Sequence, residues 1–161
     1  MKLISILTPR QTLKLINFWP PYFFSGISVI HINEDITEIV VRKKTNFFNQ
    51  NYFGTHFGGT LYAMCNPFFV FILLQFLREE HVVWDIRGEI DFIKAIRKPV
   101  TATFSVKKEE IEKIKKQALE TFKVEPVFST EIVDKDGDVI ARVKKTIYVR
   151  RKDAKERFSK E

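Results

Sequence analysis

The feature that most constrains this chain is an apolar stretch over residues 61–77, which contains no charged side chain. The stretch includes Asn66, Pro67 and Gln75, and it is shorter than the roughly 20 residues that a membrane-spanning helix needs. A helix that is apolar on all sides is buried in the core of a water-soluble domain. We therefore expect a central core helix over residues 60–77, and no stable insertion into a membrane.

Pro67 interrupts this predicted helix. Proline has no amide hydrogen to donate to the carbonyl of Ala63, four residues earlier. We therefore expect that carbonyl to be free and the helix to kink beside Asn66.

The rest of the chain predicts a sheet around the helix. Runs rich in Val, Ile and Phe alternate with polar residues, and Asp136-Gly137 is a strong hairpin signal. We predict strands over residues 27–32, 36–41, 81–96, 100–107, 124–133 and 139–151, and an amphipathic helix over residues 109–122. This order indicates one α+β domain over residues 1–161, in which a curved, six-stranded antiparallel sheet wraps the central helix. Because open sheet edges tend to pair across a two-fold axis, we expect a homodimer.

Residues 1–25 predict an N-terminal helix and an aromatic loop. Thr8 and Pro9 are typical of a helix start, and Pro20-Pro21 predict its end. The chain has sixteen phenylalanines, which indicate a bulky interior or an apolar ligand cavity. Five aromatic residues crowd around the two prolines: Phe18, Trp19, Tyr22, Phe23 and Phe24. They either fill the core or line an apolar opening, and we expect the core.

The net charge of +7 is concentrated near the C-terminus, because residues 142–161 carry nine basic and three acidic side chains. Residues 152–161 form a basic tail, which we expect to be a solvated terminus. A phosphate-bearing ligand, an anionic membrane surface and RNA are the alternative partners of such a tail. The chain has no RNA-binding motif, so no nucleic-acid partner is expected.

Cysteine and histidine usage excludes two classes of site. The single cysteine, Cys65, rules out a disulfide framework, and the first apolar run is too short for a signal peptide, so we expect a cytoplasmic protein. Cys65 lies inside the apolar helix and is expected to be an inert buried thiol. His31, His56 and His81 lack metal-ligand spacing, so no metal site is predicted.

Gly58-Gly59 stands directly before the apolar helix. Amides in the first turn of a helix have no partner within the helix, and they lie at the positive end of its dipole. The Gly pair therefore predicts an oxyanion site at Gly59 and Thr60. The alternative interpretation is that the glycines only let a loop turn into a crowded core.

The segment GTHFGGTLYAM, residues 54–64, resembles the hot-dog fold thioesterase superfamily, and within it an uncharacterised branch that is a domain of unknown function. Further matches lie at residues 83–85, 123–126 and 141–150, so the resemblance covers nearly the whole chain. It implies a hot-dog fold, a homodimer or a dimer of dimers, and a role in lipid metabolism. It also implies an acyl thioester of coenzyme A or of an acyl-carrier protein, bound where the helix meets the partner subunit.

Two positions depart from the better-known branch of that superfamily. There a His precedes the Gly pair, and the seventh residue after the second Gly is an Asp or Glu that activates water or attacks the thioester. In this chain Phe57 and Asn66 occupy those positions, and His56 stands one place earlier. Asparagine cannot act as a base or as a carboxylate nucleophile, but it can orient a water or bind a carbonyl.

We therefore expect an acyl-CoA or acyl-carrier-protein thioesterase, in which coenzyme A is part of the substrate and no separate cofactor is needed. Asn66 would position water, and the backbone amides of Gly59 and Thr60 would bind the oxyanion. Gly58 would contribute to substrate binding. His56 or Asp85 would take the proton. The alternative is a non-catalytic protein that binds acyl thioesters or lipids, which Asn66 favours.

The basic residues near the C-terminus gain a role from this resemblance. The phosphates of coenzyme A would remain at a surface rim while the acyl chain enters the apolar interior. Arginine and lysine are the side chains that bind phosphate. The candidate phosphate-binding residues are Arg142, Lys144, Arg150 and Arg151.

Overall fold

The computed structural model describes residues 8–154 of the chain. In chain order the elements are α1 (Pro9–Leu15), α2 (Pro20–Phe24), β1 (Ile27–Ile32), β2 (Glu38–Lys43), α3 (Gly58–Ala63), α4 (Phe68–Leu77), β3 (His81–Phe92), β4 (Val100–Ser105), α5 (Lys108–Thr121), β5 (Lys123–Val124), β6 (Val127–Asp134) and β7 (Val139–Arg151). Short 3-10 helices follow α1 and β7. Most of the predicted basic tail, residues 155–161, lies outside the described residues.

The strands form one antiparallel sheet in the order β1-β2-β4-β6-β7-β3, with β5 beside β7. β1 and β3 are its two edges. Four side chains from different strands are completely buried on the inner face: Ile39, Phe104, Ile132 and Ile147. The sheet therefore presents a continuous apolar face.

The apolar segment fills that face. Phe68 and Phe69 of α4 contact Phe104 of β4, with ring centroids 5.1 Å apart in both pairs. Gly58–Leu77 is long and apolar enough to cross a membrane by length and composition. However, Phe68, Ile72 and Leu73 are fully buried beneath the sheet, as in the core helix of a globular domain. The α+β layout expected from the sequence is confirmed.

The central helix is two helices rather than one. α3 ends at Ala63 and α4 begins at Phe68, so the predicted helix over residues 60–77 is interrupted at residues 64–67. The Ala63 carbonyl was expected to be free, but it accepts a hydrogen bond from the Asn66 amide at 3.1 Å. The chain tightens by one residue before Pro67, which satisfies the carbonyl that proline cannot reach.

Pro20 and Pro21 begin a helix rather than end one. α1 carries a capping box of Thr8 and Gln11, and Pro20 takes the first position of α2, where a missing amide hydrogen has no consequence. A helix of five residues has little inward surface, and it buries only Tyr22, which is 3% exposed. The expectation that the aromatic cluster fills the core is wrong for the other four residues. Phe18, Trp19, Phe23 and Phe24 are exposed.

Two strand predictions also differ from the structure. β3 ends at Phe92 rather than at residue 96, and the amides of Ile93 and Lys94 both donate to the Ile140 carbonyl. The run over residues 124–133 is divided by Pro126, so the sheet has seven strands where six were expected. Pro126 has no amide to donate, although its carbonyl still accepts from Ile147.

Replacing Phe104 by Ala is expected to destabilise the fold by about 3–5 kcal/mol, because it leaves a cavity between the sheet and α4. Urea unfolding would measure the loss. The matched control is Phe47→Ala, which truncates a side chain that is 82% exposed and should change stability by less than about 0.5 kcal/mol. Equal losses in the two variants would contradict this packing.

Candidate functional site

A buried lysine joins two of the residues that the sequence singles out. The Lys145 side chain is 3% exposed, and its ammonium lies 3.3 Å from Asp85 Oδ1. The same ammonium donates to Asn66 Oδ1 at 3.1 Å and to the Tyr62 hydroxyl at 3.3 Å. Asn66 and Asp85 therefore belong to one polar cluster, which we call the Lys145 cluster: Tyr62, Asn66, Asp85 and Lys145.

The strand period puts Lys145 inside the core. Alternate side chains of a strand point to opposite faces of the sheet. The inward positions of β7 are Ala141, Val143, Lys145, Ile147 and Val149, all of them buried. An unpaired charge at such a position would cost several kcal/mol, so the ammonium requires the partners that surround it.

Gly88 lets Tyr62 reach this cluster. Gly88 of β3 stands opposite Lys145 in the β3–β7 register. A Cβ at this position would lie 1.8 Å from the Tyr62 hydroxyl oxygen, so any side chain other than glycine's hydrogen would displace the ring. The Lys145 ammonium lies 5.0 Å from the centre of the Tyr62 ring, which adds a cation–π contact to the hydrogen bond.

The contact with Lys145 determines how Asn66 is oriented. A lysine ammonium can only donate, so the atom that it contacts is the carbonyl oxygen of the Asn66 amide. The NH₂ group of that amide is left as a donor on a residue that is otherwise exposed. The backbone carbonyl of Asn66 accepts a hydrogen bond from the Tyr22 hydroxyl. The break between α3 and α4 thus holds Asn66 by its backbone and by its side chain.

Asp85 is a candidate base. Burial raises the pKa of the Asp85 carboxyl above its ordinary value of 3.8, and the charge and hydrogen bond of Lys145 act against that rise. The carboxylate is still 20% exposed. A partly desolvated carboxylate with a raised pKa is a better proton acceptor than a free one.

His56 lies in a different cluster. Its Nδ1 accepts from the buried Lys43 ammonium at 2.8 Å, and its Nε2 donates to the Lys98 carbonyl at 2.9 Å. Burial lowers the pKa of His56, and the Lys43 charge lowers it further. Burial also lowers the pKa of Lys43, to about 8. Because both ring nitrogens of His56 are occupied, taking a proton from substrate would require a hydrogen bond to break.

The Gly pair lies at the start of α3, between two aromatic rings. A Cβ on Gly58 would come within 3.0 Å of Phe92, and one on Gly59 within 2.6 Å of Phe57. The Thr60 amide donates to the Phe57 carbonyl at 3.0 Å, so its expected role as an oxyanion donor is corrected. The Gly59 amide has no such bond and stays a candidate. Gly58 lines a cavity of about 240 Å³.

The predicted phosphate-binding residues are set apart from the Lys145 cluster. Arg142, Lys144 and Arg150 occupy the β7 positions that alternate with the buried ones, so they lie on the outer face of the sheet. Arg142 donates to Glu131 at 2.9 Å, and Arg151 pairs with Asp153. Their role in binding phosphate stays a prediction.

Cys65 adjoins Asn66, but it is not activated. It is fully buried, and burial raises the pKa of its thiol to about 12, which keeps it protonated. Within residues 8–154, no three His, Cys, Asp or Glu side chains are grouped so that they could hold a metal ion.

Sequence reasoning missed Lys145 and Tyr62. A signal for Lys145 was present, because it is a charged residue that interrupts the apolar alternation of Ala141, Val143, Ile147 and Val149 in β7. Tyr62 is three residues after Gly59, and Gly88 stands across from it in the middle of a strand, where glycine marks a close approach. Only the folded chain shows that these positions meet.

Comparisons with known proteins agree with this architecture. The family model of the domain of unknown function DUF4442 matches residues 9–149. No curated protein matches the chain in sequence. Similar solved structures include PA5026 from Pseudomonas aeruginosa, a protein of unknown function named as a probable thioesterase, which is 16% identical, with 90% of this chain and 97% of that chain covered and a TM-score of 0.78.

Two further structures are similar over most of their length. The thioesterase HI1161 from Haemophilus influenzae is 15% identical, with 90% of this chain and 92% of that chain covered and a TM-score of 0.65. OLEI01261 from Chlorobaculum tepidum, of unknown function, is 16% identical, with 89% of this chain and 97% of that chain covered and a TM-score of 0.71. At these identities the likeness establishes the fold.

Replacing Lys145 by Met is expected to raise the pKa of Asp85 further above its ordinary value, because Lys145 supplies the charge and the hydrogen bond that lower it. A carbon-detected NMR titration of the Asp85 carboxyl would follow the change. The matched control is Lys144→Met, one residue away on the outer face, which should leave the Asp85 pKa in place. An Asp85 pKa that does not respond to Lys145→Met would contradict the ion pair.

Proposed function

The chain belongs to the DUF4442 family, a domain of unknown function, and has the hot-dog fold; from this premise we propose that it hydrolyses acyl thioesters of coenzyme A or of an acyl-carrier protein at the Lys145 cluster. The observation that carries the proposal is the position of Lys145, which joins the carboxylate of Asp85 to the amide of Asn66. A base and a carbonyl-binding donor beside one fixed positive charge are suited to attack by water on an acyl group.

In the proposed reaction Asp85 removes a proton from water, and the resulting hydroxide attacks the carbonyl carbon of the thioester. The NH₂ group of Asn66 donates to the oxyanion that forms. The carbon–sulfur bond then breaks, and the thiolate takes the proton from Asp85, so the free acid and the free thiol leave. Lys145 fixes the positions of the Asp85 and Asn66 side chains relative to each other, and its charge offsets the negative charge that develops.

Asp85 is preferred to His56 as the base for a geometric reason. Asp85 shares an ammonium partner with Asn66, whereas His56 is bonded on both ring nitrogens to groups outside this cluster. The hydrolytic rate should therefore depend on a carboxylate. As the pH falls through the raised pKa of Asp85, the carboxyl becomes protonated and the rate should decrease.

A homodimer formed through β3 is part of the proposal. β3 is a twelve-residue edge strand, and its side chains Trp84 and Ile86 are 48% and 45% exposed. A strand with unpaired edge groups and exposed apolar side chains is suited to pairing with a second copy. Because Asp85 belongs to this strand, pairing would shield the cluster from water. The native mass should be twice the 19.0 kDa of one chain.

The acyl chain has a candidate site in an apolar groove between α1 and α4, with a volume of about 710 Å³. Leu13, Trp19, Phe71 and Leu74 contribute to its lining. The Trp19 ring lies 5.3 Å from the ring of Tyr22, whose hydroxyl binds the Asn66 carbonyl. Tyr22 therefore links the groove to the Lys145 cluster.

The test is a steady-state thioesterase assay over short to long acyl-CoA substrates. Asp85→Asn is expected to lower kcat/KM by about a hundredfold or more, because it removes the base. The matched control is Glu89→Gln, which neutralises an exposed carboxylate on the same strand and should have little effect. His56→Gln should retain turnover, provided that the variant stays folded by circular dichroism. Full activity in Asp85→Asn, or a loss confined to His56→Gln, would contradict the assignment.

The second candidate function is binding of an acyl thioester without hydrolysis, which Asn66 favours because it stands where related enzymes carry a carboxylate. It predicts no turnover by the wild type, together with saturable binding of an acyl-CoA thioether in calorimetry. It also predicts that Asn66→Asp gains activity, since the new carboxylate would lie beside Lys145. Turnover by the wild type would exclude it.

A further inference from the structure

Four phenylalanine side chains protrude from one end of the molecule. Phe23 and Phe24 end α2 and are 59% and 57% exposed, while Phe47 and Phe48 follow β2 and are 82% and 76% exposed. The rings contact one another in sequence, with centroid distances of 5.5 Å for Phe23–Phe24, 6.3 Å for Phe24–Phe48 and 5.6 Å for Phe47–Phe48. We call this group the aromatic tip.

The tip is held in place by the backbone rather than by its own rings. The Lys44 amide donates to the Gly26 carbonyl at 2.9 Å, which joins the segment after α2 to the segment after β2. Asn49 is buried, accepts from the Asn46 amide at 3.0 Å and donates to the Lys44 carbonyl at 3.0 Å. The loop that carries Phe47 and Phe48 is therefore braced, with its two rings directed into solvent.

The charge around the tip is positive. No Asp or Glu occurs in residues 8–33 or 39–78, the two stretches that supply the tip. The acidic residues between them, Glu34, Asp35 and Glu38, lie at the other end of the β1–β2 hairpin, about 20 Å along the strands. Lys44 is exposed and stands three residues before Phe47.

Other acidic side chains do approach this end of the sheet. Asp134 is buried and accepts from the backbone amides of Asp136 and Asp138, whose own carboxylates pair with lysines. The β6–β7 turn carries Asp136 and Asp138. Asp136 lies 3.1 Å from the Lys98 ammonium, and Asp138 lies 2.6 Å from the Lys94 ammonium. The tip therefore faces an environment with an excess of positive charge.

Exposed aromatic rings beside lysine match the interface of a lipid bilayer. Aromatic side chains concentrate at the level of the headgroups, and basic side chains near the surface are attracted to anionic lipids. A contiguous exposed apolar patch on a folded domain marks an interaction surface. β1 and β3 are opposite edges of the sheet, so docking at the β1 side leaves β3 available.

We propose that the aromatic tip docks the protein on the surface of an anionic membrane. The four rings enter the boundary between headgroups and acyl chains, and Lys44 lies at the level of the lipid phosphates. The docking is peripheral, since the central helix remains in the core. It is independent of whether the Lys145 cluster hydrolyses thioesters.

The test is co-sedimentation of the full chain with vesicles of equimolar phosphatidylcholine and phosphatidylglycerol, compared with vesicles of phosphatidylcholine alone. The wild type should partition onto the anionic vesicles, and the double variant Phe47→Ser with Phe48→Ser should partition about tenfold more weakly. Lys44→Glu should weaken partitioning about fivefold or more, and added salt should weaken it further.

Matched controls remove exposed side chains elsewhere. Leu119→Ser with Val127→Ser truncates two apolar side chains that are 51% and 49% exposed, and Lys113→Glu reverses an exposed charge on α5; both should partition like the wild type. Wild-type partitioning by the Phe47/Phe48 variant, or no binding of the wild type to anionic vesicles, would overturn the proposal. So would a change in the native mass of that variant without lipid, which would show that a second copy covers the tip.

Discussion

The ion pair between Lys145 and Asp85 is the interaction on which the functional end of this fold depends. An ammonium inside an apolar sheet has no access to water, so the neighbouring elements must supply its partners. β3 supplies Asp85, α3 supplies Tyr62, and the break before α4 supplies Asn66. Three separate segments of the chain therefore contact the Lys145 ammonium.

Several features of the sequence follow from this constraint. The helix is interrupted at Pro67. At this interruption the backbone carbonyl of Asn66 accepts a hydrogen bond from Tyr22, and the side-chain oxygen of Asn66 accepts one from Lys145. Gly88 leaves room for the Tyr62 hydroxyl. A buried ion pair contributes little net stability compared with an apolar core, so the presence of this pair is consistent with the chemistry proposed for it.

The sequence was sufficient for the layers of the fold and for part of the site. The uncharged stretch over residues 61–77 and the alternating strands predict a sheet around a core helix. Because Asn66 stands where a catalytic carboxylate was expected, the sequence also indicates Asp85 as a candidate base. Lys145 escaped notice because it stands among other basic residues near the C-terminus, where a lysine in the apolar phase is hard to tell from its solvated neighbours. Proline was misjudged at Pro20, since it fits a helix start as well as a helix end, and with it the burial of the aromatic cluster. Both predictions failed because contacts between parts of the chain that are distant in sequence decide which side chains are buried.

The central claim is that the side-chain NH₂ of Asn66 donates to the thioester carbonyl while Lys145 binds the oxygen of the same side-chain amide. The most direct measurement is the NMR signal of the Asn66 side-chain amide during titration with a non-hydrolysable acyl-CoA thioether that keeps the carbonyl. The account predicts a saturable shift of that signal, which is lost in Lys145→Met and kept in Lys113→Met, a variant of an exposed lysine on α5. Saturable binding that leaves the Asn66 signal unmoved would contradict it.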